Sequence, residues 1–289
     1  MTWHETIEYI QTKPEFSDLI IKAYFDKDLE ANIKRFGNSE EFKETMRLIR
    51  SKQTGKLAIL DVGAGNGIAT INFALEGYTV TALEPDKSET VGAVAIRTLA
   101  QRMNLENVLV IECYAEEISM PDCSFDLVYV RQAMHHAYDL KAFVKELARV
   151  LKPGGMLLTV RDHVIYDETD KQLFLNSHPL HKFYGGENAF TAKEYKIALL
   201  EAGLSIKKEL KFFDSVINYF PLTKNDILKI CKEEKERMFR ALKRKISYLA
   251  YLPPLLTLYL IKNGKSGMKN LLNEKIFPGR IYSYIALKK

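Results

Sequence analysis

Leu57-Ala58-Ile59-Leu60-Asp61-Val62-Gly63-Ala64-Gly65-Asn66-Gly67-Ile68-Ala69-Thr70 reads as a strand, a turn and the start of a helix. The apolar run is short enough for a buried strand and ends on an acid. Three glycines at alternate positions follow, where the backbone must turn tightly and let a ligand approach. The helix then opens with unpaired N–H groups and the positive end of its dipole facing that turn. A dinucleotide fingerprint, G-x-G-x-x-G, would place its third glycine at position 68, which is Ile68.

Working outward, Ile68 to Glu76 suits a helix stopped by Gly77, and Thr79-Val80-Thr81-Ala82-Leu83 a second strand. That strand finishes on Glu84, with Pro85 and Asp86 in the next turn. In an open α/β sheet ligands sit at the carboxyl ends of strands, and an acid there accepts hydrogen bonds from ribose hydroxyls. Ser88 to Met103 suits a helix, Asn107 to Glu112 a third strand, and Phe125 to Val130 a fourth. Lys141 to Leu151 then reads as a helix, Lys152-Pro153-Gly154-Gly155 as its stop, and Met156 to Val160 as strand five. Thr191 to Ala202 opens with Thr191 and Glu194, a capping box. Leu204 to Phe213 is strand six, and Arg280 to Leu287 the last strand.

Asp61-x-Gly63-x-Gly65-x-Gly67 resembles the first motif of class I S-adenosylmethionine-dependent methyltransferases. Ser124-Phe125-Asp126-Leu127-Val128, His135-His136 and the run from Leu140 to Lys152-Pro153-Gly154-Gly155 are similar to the small-molecule, quinone C-methyltransferase-like group. The resemblance spans about residues 57 to 160. It implies a doubly wound α/β fold, with a seven-stranded, mostly parallel sheet, an antiparallel last strand and helices on both faces. It assigns Asp61, Gly63, Gly65 and Gly67 to the amino-acid end of S-adenosylmethionine, and Glu84 with Pro85 to the ribose. Ala115 and Glu116 fall beside the adenine, although Tyr114 stands where the family carries an Asp. Arg131 and Gln132 would lie near the methionine portion. The N/D-P-P-Y/F tetrapeptide of exocyclic base amine methyltransferases is absent from this loop, which argues against a DNA substrate.

The chain has 289 residues, 47% of them apolar, enough for one large domain with insertions. Its net charge of +5 suits acidic small molecules, anionic lipid or RNA without choosing among them. Three scattered cysteines lack metal spacing, and the amino terminus lacks a charged-then-apolar leader, so a reducing, cytoplasmic location is expected. Residues 1–52 read as short helices, with Asn38 and Glu41 as a capping box; the resemblance implies that they form a lid in which Tyr24, Phe25 and Arg35 cover the cofactor, the alternative being that these residues pack against the sheet edge. The core is expected over 53–211 with 280–289, a substrate-side insertion over 164–190, and a helical insertion over 212–279. Within the last, Lys224 to Lys245 is a basic amphipathic helix, followed by an apolar run from Tyr248 to Ile261 split by Pro253-Pro254. That run falls short of the about 20 residues a membrane span needs. A lid is the preferred reading of 224–261, with contact at a membrane surface as the alternative.

Strand five is expected to end at Arg161-Asp162-His163, and five of six histidines then fall on loops at one sheet edge: His135, His136, His163, His178 and His181. They suit a polar acceptor pocket with a proton acceptor. His136 is the first candidate, then His135 and His163, with Asp162 orienting them. His163, His178, His181 and Glu187 also offer metal donors, but no tight H-x-x-x-H pair exists and no metal is assigned. The expected activity is methyl transfer to a small molecule, leaving S-adenosylhomocysteine. The alternatives are an RNA methyltransferase, against which no dense basic-aromatic patch is visible, and a cofactor-binding protein without catalysis.

Overall fold

The computed structural model describes residues 1–53, 55–246 and 273–289. Four parallel strands form its centre: β1 (Ala58–Val62), β2 (Thr79–Leu83), β3 (Val108–Ile111) and β4 (Phe125–Arg131). β5 (Leu151–Ile165) continues the parallel set, β6 (Phe190–Thr191) is a short pair with its end, and β7 (Leu204–Leu210) and β8 (Arg280–Lys288) close the sheet. The order is β3-β2-β1-β4-β5-β8-β7, with β6 attached to β5. β8 runs antiparallel between β5 and β7. The order turns back at β1 and β4, so the crevice at their carboxyl ends is the place for a ligand.

β1 alternates its side chains between two apolar layers, as a strand covered on both faces must. Ile59 packs in the layer holding α3 (Leu29–Asn38), α4 (Glu40–Arg50) and α5 (Ile68–Leu75). Leu60 and Val62 pack in the layer holding α7 (Leu140–Val150) and α10 (Ala192–Glu201). α6 (Ala93–Arg102) starts later than position 88, because Asp86 and Ser88 organise a turn there: the Ser88 N–H donates to Asp86 Oδ1 and the Ala93 N–H to the Asp86 carbonyl. Before the sheet lie α1 (Trp3–Gln11) and α2 (Ser17–Lys22), separated by a tight turn at Pro14.

Three expectations need correction. The cap of α4 is Ser39, whose hydroxyl accepts from the Phe42 N–H, so Asn38 and Glu41 form no capping box. Strand five does not end at residues 161–163; it runs to Ile165 through a bulge. Thr159 faces Tyr284 and Asp162 faces Tyr282, so Val160 and Arg161 together oppose Ser283. Arg161 takes φ 64°, its N–H donates to Ser283 Oγ, and His163 therefore sits in a strand rather than a loop. Strand six stops at Leu210, short of Phe213, where a tight turn at Phe212–Asp214 begins.

The insertion after β5 carries α8 (Glu168–Ser177) and α9 (His181–Tyr184). After β7 come α11 (Val216–Tyr219) and the basic α12 (Lys224–Ile246), which buries Ile227, Cys231 and Met238. The apolar run 248–261 lies outside the described residues. No described helix is long and apolar enough to cross a membrane.

Candidate active site

Gly63, Gly65 and Gly67 all adopt left-handed backbone, at φ 65°, 56° and 82°. The reasons differ. A Cβ on Gly63 would lie 2.5 Å from the Ala133 Cβ, because the loop after β4 passes directly over it. A Cβ on Gly67 would press on Ile96 of α6. A Cβ on Gly65 would meet nothing within 4 Å, so this glycine opens onto free space at the strand ends. Such a bend, held by protein on both flanks and open in the middle, fits a cofactor lying across it.

Glu84 closes the same space from the neighbouring strand. Its Oε2 accepts the Gly65 N–H at 2.7 Å and its Oε1 the Asp86 N–H at 2.9 Å. Burial raises its pKa to about 7, partly offset by those two N–H donors. Asp61 lies under the turn and accepts the Thr70 hydroxyl at 2.6 Å. Burial raises it to about 6, with Thr70 and the Arg131 charge pulling the other way. Pro85 follows Glu84 into the turn, Ala115 is buried, and Glu116 Oε1 accepts the Tyr138 N–H beyond β4. Tyr114 is an exposed side chain.

Arg131 is placed differently from its neighbours. Its guanidinium donates to both oxygens of Glu41 on α4, at 2.7 and 3.2 Å, and lies over the rings of Tyr24 and Phe36. Arg161 Nη1 stands 3.9 Å from the same carboxylate. The Arg131 side chain is thus committed to the amino-terminal helices. Gln132 takes φ 51° and its N–H donates to the Val160 carbonyl, anchoring the loop's start. The glycine turn is also tied to those helices, since Asn66 Nδ2 donates to the Tyr24 carbonyl at 2.7 Å. Phe25 packs on Trp3, and Arg35 donates to Asn32 and Asp26, so neither turns toward the glycines. A cleft of about 460 Å³ beside Tyr24, Arg35 and Phe220 lies apart from the glycine turn and the histidines.

The bulge in β5 builds a histidine cluster. Without it Arg161 and Asp162 would exchange faces. With it, Asp162 Oδ1 reaches both the backbone N–H and the Nδ1 of His135, each at 3.1 Å. His135 is buried, with Nε2 3.6 Å from Glu187. Desolvation alone would lower its pKa, but the Asp162 and Glu187 carboxylates raise it to about 9. Loss of solvent and then the His135 charge push His163 down to about 3 and His136 down to about 4. Despite burial, His135 above all, then His136 and His178, hold the Glu187 carboxyl well below its usual range. His163 Nδ1 lies 2.6 Å from the Gly279 carbonyl, and His136 Nδ1 3.1 Å from the Gly186 carbonyl. A carbonyl only accepts, so both rings carry hydrogen on Nδ1 and a lone pair on Nε2. His178 Nε2 is 3.6 Å from Glu187, whereas His181 makes none of these contacts.

The structure brings His135, His136, Asp162, His163 and His178 to one place, and sequence reasoning misses what organises them. Glu187, quoted only as a metal donor, stands between His135 and His178. Glu41, read as a capping residue, is the buried partner of Arg131. Its acidity on an otherwise apolar helix face was the available signal, since Phe42, Thr45 and Met46 around it are buried too.

Residues 60–159 match a family model described as "Methyltransferase domain" (Methyltransf_11). Over these residues the chain is similar to the class I S-adenosylmethionine-dependent methyltransferases. The domain is 36% identical over 118 residues to the uncharacterized methyltransferase YcgJ of Bacillus subtilis, 41% of this chain and 45% of that relative. It is 24% identical over 158 residues to the ubiquinone/menaquinone biosynthesis C-methyltransferase UbiE of Shewanella frigidimarina, 54% of this chain and 62% of that relative. The match thus spans less than two thirds of either protein. A putative sarcosine dimethylglycine methyltransferase from Galdieria sulphuraria shares the fold, with TM-score 0.56 and 18% identity over 92% of this chain and 91% of that one. The cofactor of such a methyltransferase domain is S-adenosylmethionine, and the left-handed turn open over Gly65, with Glu84 beside it, fits that group.

Proposed function

We propose that this protein transfers the methyl group of S-adenosylmethionine to a small-molecule acceptor bound between the loop after β4 and the 164–190 insertion. The observation that carries the reading is the open bend over Gly65 with the Glu84 carboxylate 2.7 Å from its N–H. When bound, the cofactor supplies an activated methyl group, so the chain's task is alignment and exclusion of water. Asp61 and the three glycines hold its amino-acid end, Glu84 and Pro85 the ribose, and Ala115 and Glu116 the adenine. Main chain at Arg131 and Gln132 borders the methionine portion, while the Arg131 side chain fixes the lid formed by residues 1–52.

His136 is the group for proton removal from a hydroxyl or ammonium acceptor. The residue is exposed at the surface while its ring is desolvated enough to stay neutral, and its Nδ1–H is held by the Gly186 carbonyl, which leaves the Nε2 lone pair for an incoming proton. His135 and Asp162 are buried, His163 is half-buried, and all three act as positioning residues.

The test supplies methyl-labelled S-adenosylmethionine and a protein-free, low-mass extract. Label is expected in a small product, and His136→Ala is expected to reduce turnover by about a hundredfold, the ordinary worth of a positioned base, with cofactor affinity retained. Transfer that vanishes when the extract is treated with RNase would establish an RNA substrate instead. Cofactor binding with no transfer to any fraction would establish a non-catalytic role.

A further inference from the structure

We propose that His135, His163 and Glu187 form a binding site for a first-row divalent cation such as Zn²⁺, with His178 as a fourth donor. One donor atom from each of the first three residues lies within 4.8 Å of the others. They come from separate parts of the chain: the loop after β4, the end of β5, and the segment before β6. Two ligands on one ion, each about 2.1 Å away, stand roughly 3.4 Å apart in a tetrahedron. His135 Nε2 and Glu187 Oε2 are already 3.6 Å apart, and so are His178 Nε2 and Glu187 Oε1. Side-chain rotation of about an ångström closes the rest.

The outer nitrogens of both imidazoles are tied back. Asp162 takes His135 Nδ1 and the Gly279 carbonyl takes His163 Nδ1, which leaves Nε2 on each ring. Carboxylate and carbonyl partners on the far nitrogen are how metal-binding histidines are oriented. The cluster also contains buried atoms with no hydrogen-bond partner: Glu187 Oε2, Asp162 Oδ2 and His178 Nδ1. The Glu187 side chain is only 5% exposed. A buried carboxylate oxygen lacking a donor, beside inward ring nitrogens, is a site built for a cation rather than for apolar packing. Two imidazoles and a carboxylate suit Zn²⁺, Fe²⁺ or Co²⁺ better than the oxygen-preferring Mg²⁺ or Ca²⁺.

The consequence would be mechanical. Glu187 belongs to the insertion, and Tyr184 donates its hydroxyl to the same carboxylate. A bound ion would therefore clamp the insertion onto the carboxyl ends of β4 and β5 whether or not the protein transfers methyl groups.

The experiment uses the full chain, freed of any histidine tag and stripped with a chelator, titrated with Zn²⁺ and with Co²⁺. One equivalent of Zn²⁺ is expected to bind and to raise the melting temperature. Co²⁺ is expected to give the intense visible bands of a four- or five-coordinate nitrogen–oxygen site. Glu187→Gln and His163→Ala are each expected to weaken Zn²⁺ at least a hundredfold, whereas His181→Asn leaves it unchanged. A pale, octahedral Co²⁺ spectrum in the unsubstituted chain, or Zn²⁺ binding that survives both Glu187→Gln and His163→Ala, would overturn the proposal. The cobalt spectrum decides even where a variant fails to fold.

Discussion

The proposed ribose contact would make Glu84 couple cofactor binding to pH. Its carboxyl is 6% exposed and its pKa is raised to about 7, above the ordinary 4.5. In the unliganded protein it therefore keeps its proton over a window where an unfolded chain has lost it. Stability from this group is full below about pH 4.5 and is lost as pH rises through about 7. With Glu84 at the ribose, as proposed, cofactor affinity runs the other way, because ribose hydroxyls would donate to the ionised carboxylate. Affinity for S-adenosylmethionine, measured by equilibrium dialysis, is expected to fall by about tenfold per pH unit below pH 7, and Glu84→Gln to flatten that profile. An equal slope in both proteins would remove Glu84 from the ribose. The residue was legible because an acid ending a strand one βαβ unit after the glycines has a known task. The direction of its pKa was not, since it depends on how deeply the folded chain buries the carboxyl.

At the scale of elements, two junctions position the site, and the sequence announced neither. The first is the ion pair between α4 and β4. Glu41 is fully buried, and Arg131 and Arg161 share its carboxylate. Glu41→Gln strands two buried guanidinium groups and is expected to cost about 3 kcal/mol, read as a shift in the urea midpoint. Asp18→Asn breaks only the exposed pair with Lys22 and is expected to cost at most about 0.5 kcal/mol. Equal effects would mean that the lid is held by apolar packing alone. The second junction is the bulge at Val160–Arg161. The apolar run of β5 gives the strand but cannot reveal an extra residue, and this one sends Asp162 to His135. Thr191 and Glu194, by contrast, form the capping box their spacing predicts, because both halves of it lie within one turn of α10.

For the whole molecule, the parallel sheet with one antiparallel insertion was readable from β1 through β5. β1, β2 and β3 are short apolar runs followed by a glycine or an acid, and β4 and β5 hold apolar runs as well. Long-range pairing was not readable. β8 inserts between β5 and β7 from the far end of the chain, and it brings the Gly279 carbonyl to His163. The amino-terminal helices likewise close on the glycine turn through one side-chain bond, Asn66 to the Tyr24 carbonyl, and through Arg131. The domain is thus one cooperative frame around a single bend, and a ligand in that bend should stabilise all of it. Calorimetric titration of S-adenosylmethionine into the intact chain is the most direct test. The account predicts one equivalent bound, with Glu84→Ala weakening it by at least tenfold. Absence of binding by the folded protein, or binding indifferent to Glu84→Ala, would contradict it.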